Sequence, residues 1–380
     1  MQVRQCVLTS VDVLSPLSSM LSQFDADLIL VFADTAFITH PQFQNILTQS
    51  GAVVAGCTTA GEIAGVDVLD HQAAITAITF SHSQVKLVST PLSSMQDSAR
   101  DAATLGAQLC ADQLRAVLIL ATGLDINGSA LISGLQQELP EDVLIFGGLA
   151  GDYARFSETF VLNNDGEHNQ CVMAIGFYGD KLNITNAAAG GWQPFGPYRK
   201  VSRAKDNILY ELDGQPALDV YKSYLGEYAE QLPSSGLLFP LEMVDEERKS
   251  SGLVRTILDV DEQEGSLILA GDIMKNGYLR LMFAANEGLV GGAEVAARLA
   301  TERHPCPLTT DCLVLLISCV GRKLIMGDLI EDEIDAVVQL SRPPTVTGFY
   351  SYGEIGTHQE SGHSVLHNQT MTVSLITEIS

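Results

Sequence analysis

Three glycine-rich turns in this sequence each carry an acid. Gly56 to Ile63 reads GCTTAGEI with Glu62, Gly147 to Asp152 reads GGLAGD with Asp152, and Gly348 to Ile355 reads GFYSYGEI with Glu354. Glycines after a strand let the backbone turn sharply and present N–H groups that receive an anion such as a carboxylate. Gly56 and Gly348 are therefore candidate backbone contacts to a ligand, and Glu62, Asp152 and Glu354 are candidates to neutralise an ammonium. The same residues also suit tight turns at sheet edges whose acids cap nearby backbone, and the sequence leaves both readings open. GGLAGD lacks the G-x-G-x-x-G spacing of a dinucleotide site, and there is no G-x-x-x-x-G-K-[ST] phosphate loop.

Arg322 ends the apolar run CLVLLISCVGR, at the kind of strand end where α/β sheets meet ligands. Its guanidinium could fork onto a ligand carboxylate. The competing partner is an acid close in sequence, such as Asp328 or Glu331. Cys57 and Cys319 stand at comparable strand ends. Either would act as a nucleophile only with a depressed thiol pKa, and Arg322 is the one basic residue near either in sequence. Their apolar settings favour buried thiols, so the expectation is a protein that is not an enzyme.

His358, His363 and His367 fall together in GTHQESGHSVLHNQTMT, which reads as loop entering strand, not as a helix that would align two metal ligands. His367, flanked by Val365 and Leu366, is the first candidate for axial ligand to a haem, with His40 and His82 as alternatives. Such a haem would be held non-covalently in a largely apolar pocket, because no Cys-x-x-Cys-His attachment sequence is present. Hydrogen bonding at a strand start is the other role open to His367.

These residues need a scaffold, and its grammar repeats. An apolar run, a mixed segment and a second apolar run occur in Asp27 to Gly56, again in Ala116 to Gly148, and more loosely in Cys312 to Tyr350. That is strand, helix, strand, as in a βαβ unit. TFVLNNDGEHNQCVMAIGF reads as a hairpin turning at Asn-Asp-Gly, and helices are expected in SSMQDSARDAATLGAQLCADQL, PALDVYKSYLGEYAEQL and GAEVAARLA. The fold class is α/β in the mixed α+β sense: two related domains with mixed sheets flanked by helices. The Gly- and Pro-rich stretch GGWQPFGPYRKVSRAKDNILYELDGQP places the boundary near Gly214, giving domains 1–214 and 215–380. If the halves pack pseudosymmetrically, the two Gly-Glu-Ile corners would face one shared cleft.

Composition removes several classes of partner. The 380 residues are 46% hydrophobic and 18% charged, as in an ordinary globular chain. Lys and Arg number 21 against 46 Asp and Glu, and a net charge of -25 repels phosphate backbones and anionic lipid, so neither nucleic acid nor membrane is expected. Seven scattered cysteines, and an N-terminus without a basic segment leading into a long apolar one, place the protein in the cytoplasm.

Taken together and in order, GCTTAGEI, GGLAGD, GWQPFGPYRKVSRAKDNILYELDGQPALDVY, SCVGRKLIMG, GFYSYGEI and LHNQTMTVSL resemble the FIST sensory proteins, with an N-terminal and a C-terminal FIST domain, from about Asp27 to Met371. The resemblance implies a signal-input module that binds a small ligand such as an amino acid. It also raises a nitric-oxide-sensing haem subset that acts on a histidine kinase or a cyclic-di-GMP enzyme. No kinase, receiver or cyclase segment is recognisable here, so a separate partner would receive the signal. On this reading the ligand is a small zwitterion or carboxylate held between the halves, with Arg322 on its carboxylate.

Overall fold

The computed structural model describes residues 1–274, 276–306, 312–341 and 345–379. Residues 342–344, inside the third repeat of the sequence pattern, lie outside that set. One strand plan occurs three times. The first unit runs β1 (Gln2–Leu8), α1 (Ser15–Ser22), β2 (Leu28–Ala33), α2 (Thr35–Ile38), α3 (Pro41–Gln49), β3 (Val53–Thr58), a hairpin of β4 (Glu62–Ala64) and β5 (Asp67–Leu69), then β6 (Ala73–Thr79). The second runs β7 (Gln84–Pro91), α4 (Ser98–Leu109), β8 (Leu114–Ala121), α5 (Gly128–Glu138), β9 (Leu144–Leu149), a hairpin of β10 (Val161–Asn163) and β11 (Gly166–His168), then β12 (Cys171–Tyr178).

The third unit starts with β13 (Leu182–Ala189) and is interrupted by an antiparallel lobe. The lobe contains β14 (Gln193–Lys205), β15 (Ile208–Leu212), β16 (Gln215–Pro216), α6 (Ala217–Leu225), β17 (Leu241–Val244), β18 (Ser250–Arg255), β19 (Ile257–Asp261), β20 (Ser266–Leu269) and β21 (Tyr278–Phe283). After α7 (Asn286–Arg303) the unit resumes with β22 (Leu313–Cys319), α8 (Val320–Met326), α9 (Glu331–Ser341), β23 (Thr345–Ser351), a hairpin of β24 (Gly353–Thr357) and β25 (Ser364–His367), and β26 (Met371–Glu378). The mixed α/β class read from the sequence is what the structure has. The boundary expected near Gly214 falls at the turn between β15 and β16, inside the lobe.

The hairpins do not stay with their units. The sheet orders are β1-β6-β2-β3-β10-β11, β7-β12-β8-β9-β24-β25 and β13-β26-β22-β23-β4-β5. Unit one thus completes the sheet of unit three, unit two that of unit one, and unit three that of unit two. In each unit the central pair is parallel: β2 with β3, β8 with β9, β22 with β23. A connecting helix is what such a pair requires.

Their near-continuous apolar runs are buried on both faces. Alternate residues Leu28, Leu30 and Phe32 meet Ala116, Leu118 and Leu120 and also Leu313, Leu315 and Ile317 in one central core, where Phe32 stacks on Phe349 at 4.7 Å. The intervening residues turn outward to helices: Ile29 and Val31 towards Leu17 and Phe43, and Val117 and Ile119 towards Leu105 and Leu135. Burial of each such Leu or Ile contributes about 1.5–3 kcal/mol.

Close approach of the parallel strands explains two glycines. A Cβ at Gly56 would lie 2.4 Å from the Val31 carbonyl oxygen, and one at Gly348 would lie 1.9 Å from that of Leu316. Both glycines stand inside strands, β3 and β23, where they fit the sheet instead of facing a ligand.

Candidate functional site

The acid-bearing turns are not three copies of one site. Glu62 opens β4 opposite Phe349, and Glu354 lies in β24 opposite Gly148, so these two occupy the same place in the ladder. In the remaining sheet that place belongs to Val161, opposite Cys57. Asp152 sits earlier, on an extra loop before β10. There its carboxylate accepts hydrogen bonds from the backbone N–H groups of Phe156, Ser157 and Glu158, from Ser157 Oγ at 2.9 Å and from the Tyr352 hydroxyl. Desolvation would raise its pKa, but the hydrogen bonds from Tyr352 and the loop backbone outweigh that and hold it below the usual carboxylate value.

Glu62 and Glu354 are fully buried. Glu62 accepts from Thr59 Oγ1 at 2.5 Å, the Tyr153 hydroxyl at 2.7 Å and the Gln72 N–H at 3.2 Å. Glu354 accepts from Ser351 Oγ at 2.7 Å and from Thr370 through its N–H at 3.1 Å and its Oγ1 at 3.0 Å. Burial raises both to about 7, against the pull of these hydrogen bonds. Each pins the root of an exchanged hairpin, and neither lines a cavity described below. The same burial, with the neighbouring glutamate added, raises the thiols of Cys57 and Cys319.

Arg322 is fully buried in the first turn of α8. Its Nε and Nη2 donate to Glu333 Oε2 at 3.0 and 2.6 Å, while Nη1 donates to the Gly190 carbonyl at 2.5 Å and Nη2 also to that of Leu289 at 2.9 Å. Glu333 also accepts from Ser318 Oγ at 3.0 Å and the Tyr350 hydroxyl at 2.8 Å. The carboxylate that Arg322 grips is therefore Glu333 of α9, neither a ligand's nor that of Asp328 or Glu331. Sequence reasoning missed Glu333 because its distance along the chain, across the irregular end of α8, gives no helical spacing to read.

The C-terminal ends of the parallel strands, where each exchanged hairpin returns, form the corners that matter. In the corner of unit three, Lys323 of α8 donates to the Ala60 carbonyl at 2.9 Å and pairs with Asp70, just past β5, between the rings of Tyr153 and Tyr350. A Cβ at Gly61 would lie 2.4 Å from Lys323 Nζ, so the corner is filled. In the corner of unit two, Asn368 stands where Asp70 does: His367 and Leu69, the residues before them, are paired with Glu354 and Glu62. Gln369 and His71, the next residues, share a left-handed backbone at φ 62° and 57°. Among the described residues no lysine meets Asn368. It is 2% exposed and its Oδ1 has no hydrogen-bond partner.

Asn368 lines a cavity of about 290 Å³ between this corner and the lobe. One wall is the Gly123–Gly128 turn leading into α5, a second is Leu258, Ile268 and Gly271 of the lobe, and a third is Tyr352 and Leu366. Phe156, on the loop that Asp152 caps, stacks on Tyr352 at 4.5 Å. At the start of α5, Asn127 accepts from the Ala130 N–H at 3.0 Å and donates to Asp272 at 3.1 Å, which ties the lobe to the core. An unpaired buried carboxamide oxygen costs on the order of 1–3 kcal/mol, which a ligand donor would recover. The sequence carried one visible signal for this site, the Asn-Gly-Ser start of α5; the partnerless state of Asn368 is a tertiary property.

His367 lines a different cavity, of about 390 Å³, with His358. Its ring is buried and faces the Gly356 carbonyl at 3.3 Å from Nε2; burial, the nearby Arg255 and His358 lower its pKa to about 3, so it stays neutral. A neutral imidazole suits a haem iron, but the walls do not suit the porphyrin. Six glycines, Ser250, Gln359, Glu360 and Thr370 line the space, and Ala188, Ala189 and Val295 are its apolar side chains. His40 Nδ1 accepts the Phe43 N–H at the start of α3, and His82 lies in an exposed turn; neither lines this cavity or that of Asn368. Among the described residues no group of three or more metal-ligating side chains occurs, and no helix is long and apolar enough to cross a membrane.

Comparison with known proteins gives a consistent picture at the level of family. The model of the FIST N domain matches residues 27–215 and that of the FIST C domain matches residues 217–357. An uncharacterized protein of Methanocaldococcus jannaschii is 25% identical over 204 residues, which are 50% of this chain and 37% of that protein, so the match spans little more than a third of the relative's length. Among solved structures, a cyanuric acid hydrolase from A. caulinodans aligns over 100% of this chain and 99% of its own at 9% identity and a TM-score of 0.41. PurLQS from Thermotoga maritima aligns over 78% and 73% at 9% identity and a TM-score of 0.21.

Proposed function

Because the chain belongs to the FIST family, whose domains bind small ligands in signal transduction, we propose that it is a non-catalytic sensor whose ligand occupies the cavity between the unit-two corner and the antiparallel lobe. The observation that carries this reading is Asn368: a buried carboxamide oxygen without a partner, in a mostly apolar space of small-molecule size. The core contributes the Gly123–Gly128 turn and the exchanged hairpin, and the lobe contributes Leu258 to Gly271. A ligand touching both favours the arrangement in which lobe and core are clamped, and a separate signalling protein reads that shift. Buried thiols with raised pKa at Cys57 and Cys319 support binding without nucleophilic chemistry.

The test is a thermal-shift screen of the full chain against small polar, apolar, anionic and cationic molecules, followed by calorimetry on hits. A ligand is expected whose binding weakens in Asn368→Leu and in Ile126→Trp, which fills the cavity. Hits that all survive both substitutions would move the site elsewhere.

A further inference from the structure

The cavity's chemistry narrows the ligand, and we infer that it is a small organic cation: an ammonium on an apolar, preferably aromatic, body, rather than a zwitterionic amino acid. This rests on the reading of that cavity as the ligand site. Among the described residues, the charged side chains of its lining are Asp125 and Asp259, and no lysine, arginine or histidine is among them. Arg255 lies behind Gly271, buried, with Nε donating to the Asp272 carbonyl at 3.2 Å and Nη1 to those of Val254 and Leu366 at 3.3 and 3.1 Å.

Among the described residues, a ligand carboxylate would have the start of α5 as its remaining electropositive contact. That position is already served. The Asn127 side chain caps the Ala130 N–H, and the Asp272 carboxylate, bonded to Asn127, already supplies the negative charge that the end of a helix favours. Asp125, two residues before, adds a second acid.

An ammonium meets the opposite situation. It brings three donors to a cavity whose lining offers acceptors in kind, Asn368 and the carboxylates of Asp125 and Asp259. The stacked rings of Phe156 and Tyr352 offer aromatic surface to a cation and to an aromatic body alike. The net charge of -25 draws cations towards the protein and repels anions.

Calorimetry with phenethylamine, L-phenylalanine and 3-phenylpropionate on the full chain separates these cases, since the three share a body and differ in charge. Phenethylamine, or a relative of different length in an amine series from butylamine to tryptamine, is expected to bind. Phenylalanine should bind at least about tenfold more weakly, and phenylpropionate not at all. Asn368→Asp should tighten the amine, and Asp259→Asn should weaken it, with circular dichroism confirming that both variants fold. Equal or tighter binding of phenylalanine or phenylpropionate, lost in Asn368→Leu, would overturn the amine and keep the cavity. Failure of every amine in the series overturns the inference as well. Failure of every molecule in the wider screen to bind in a manner dependent on Asn368 and Ile126 would overturn the cavity too.

Discussion

The corners of units two and three are built from the same parts and end differently. In unit three the returning hairpin brings Asp70 and the strand-end helix brings Lys323, and the two close the space. In unit two the hairpin brings the neutral Asn368, the corresponding turn is Gly-Leu-Asp-Ile-Asn without a base, and the space stays open under the lobe. On the proposed reading, a repeated scaffold becomes a binding site in a copy that lacks the ion pair sealing unit three. The same residue type holds the same ladder position at the roots of the two hairpins, which fits a scaffold role for both glutamates, and on the proposed reading Asn368 belongs to the site.

Substitutions that break or sharpen this contrast differ in size. Arg322→Met should have the largest effect, because it strands Glu333 as an uncompensated buried charge behind the sealed corner; a loss of about 3–5 kcal/mol in urea denaturation is expected. A loss below about 1 kcal/mol would show that the closed corner does not depend on it.

The twin glutamates come next. Their carboxyls bind protons more tightly in the folded chain, near pH 7, than in the unfolded chain, near 4.5. The stability this confers is complete below the unfolded value and is lost as pH rises through the folded one. Glu62→Gln and Glu354→Gln should each flatten the fall in stability by about 2–3 kcal/mol, as read from denaturation between about pH 5 and about pH 8. A wild-type stability that rises over that window would contradict the assignment for both corners.

Converting the open corner into the closed one tests the comparison directly. Ile126 lies seven residues beyond Ile119 as Lys323 lies seven beyond Leu316, and Ile119 and Leu316 face the equivalent glycines Gly147 and Gly348. The double variant Ile126→Lys, Asn368→Asp should fill the cavity with its own ion pair and weaken the ligand at least about tenfold in calorimetry. Retained affinity would mean that the sealing pair is not what distinguishes the corners. Lys323→Met should be the mildest change, below about 1 kcal/mol by denaturation, because Asp70 is more than half exposed.

Much of the scaffold was readable in advance, because double-sided burial writes apolar runs and close parallel strands write glycines. The three βαβ segments, the hairpin turning at Asn164 and Asp165 and the strand-end position of Arg322 all follow from such local signals. The destination of each hairpin did not, since alternation specifies a strand's faces and not its sheet. In sequence Asp152 resembles the two glutamates because composition does not reveal the extra loop that displaces Val161 along the chain. Arg322 reads as a ligand contact in sequence because its acid partner lies across a helix break, and Asn368 carries no sequence signal because being partnerless is a tertiary property.

The cyclic exchange of hairpins also has a consequence for how the chain is made. Unit one cannot finish its sheet before β10 and β11 have been synthesised, and unit two must wait for β24 and β25, which follow its own strands only after the whole lobe has been made. The hairpin of unit one, made early, has no host until β23 arrives. Such long-range pairings slow folding and leave sheet edges unpaired in the meantime. A nascent chain stalled before β23 therefore exposes strands with no partner, and refolding from denaturant should proceed as one slow event for the whole three-unit core, not unit by unit.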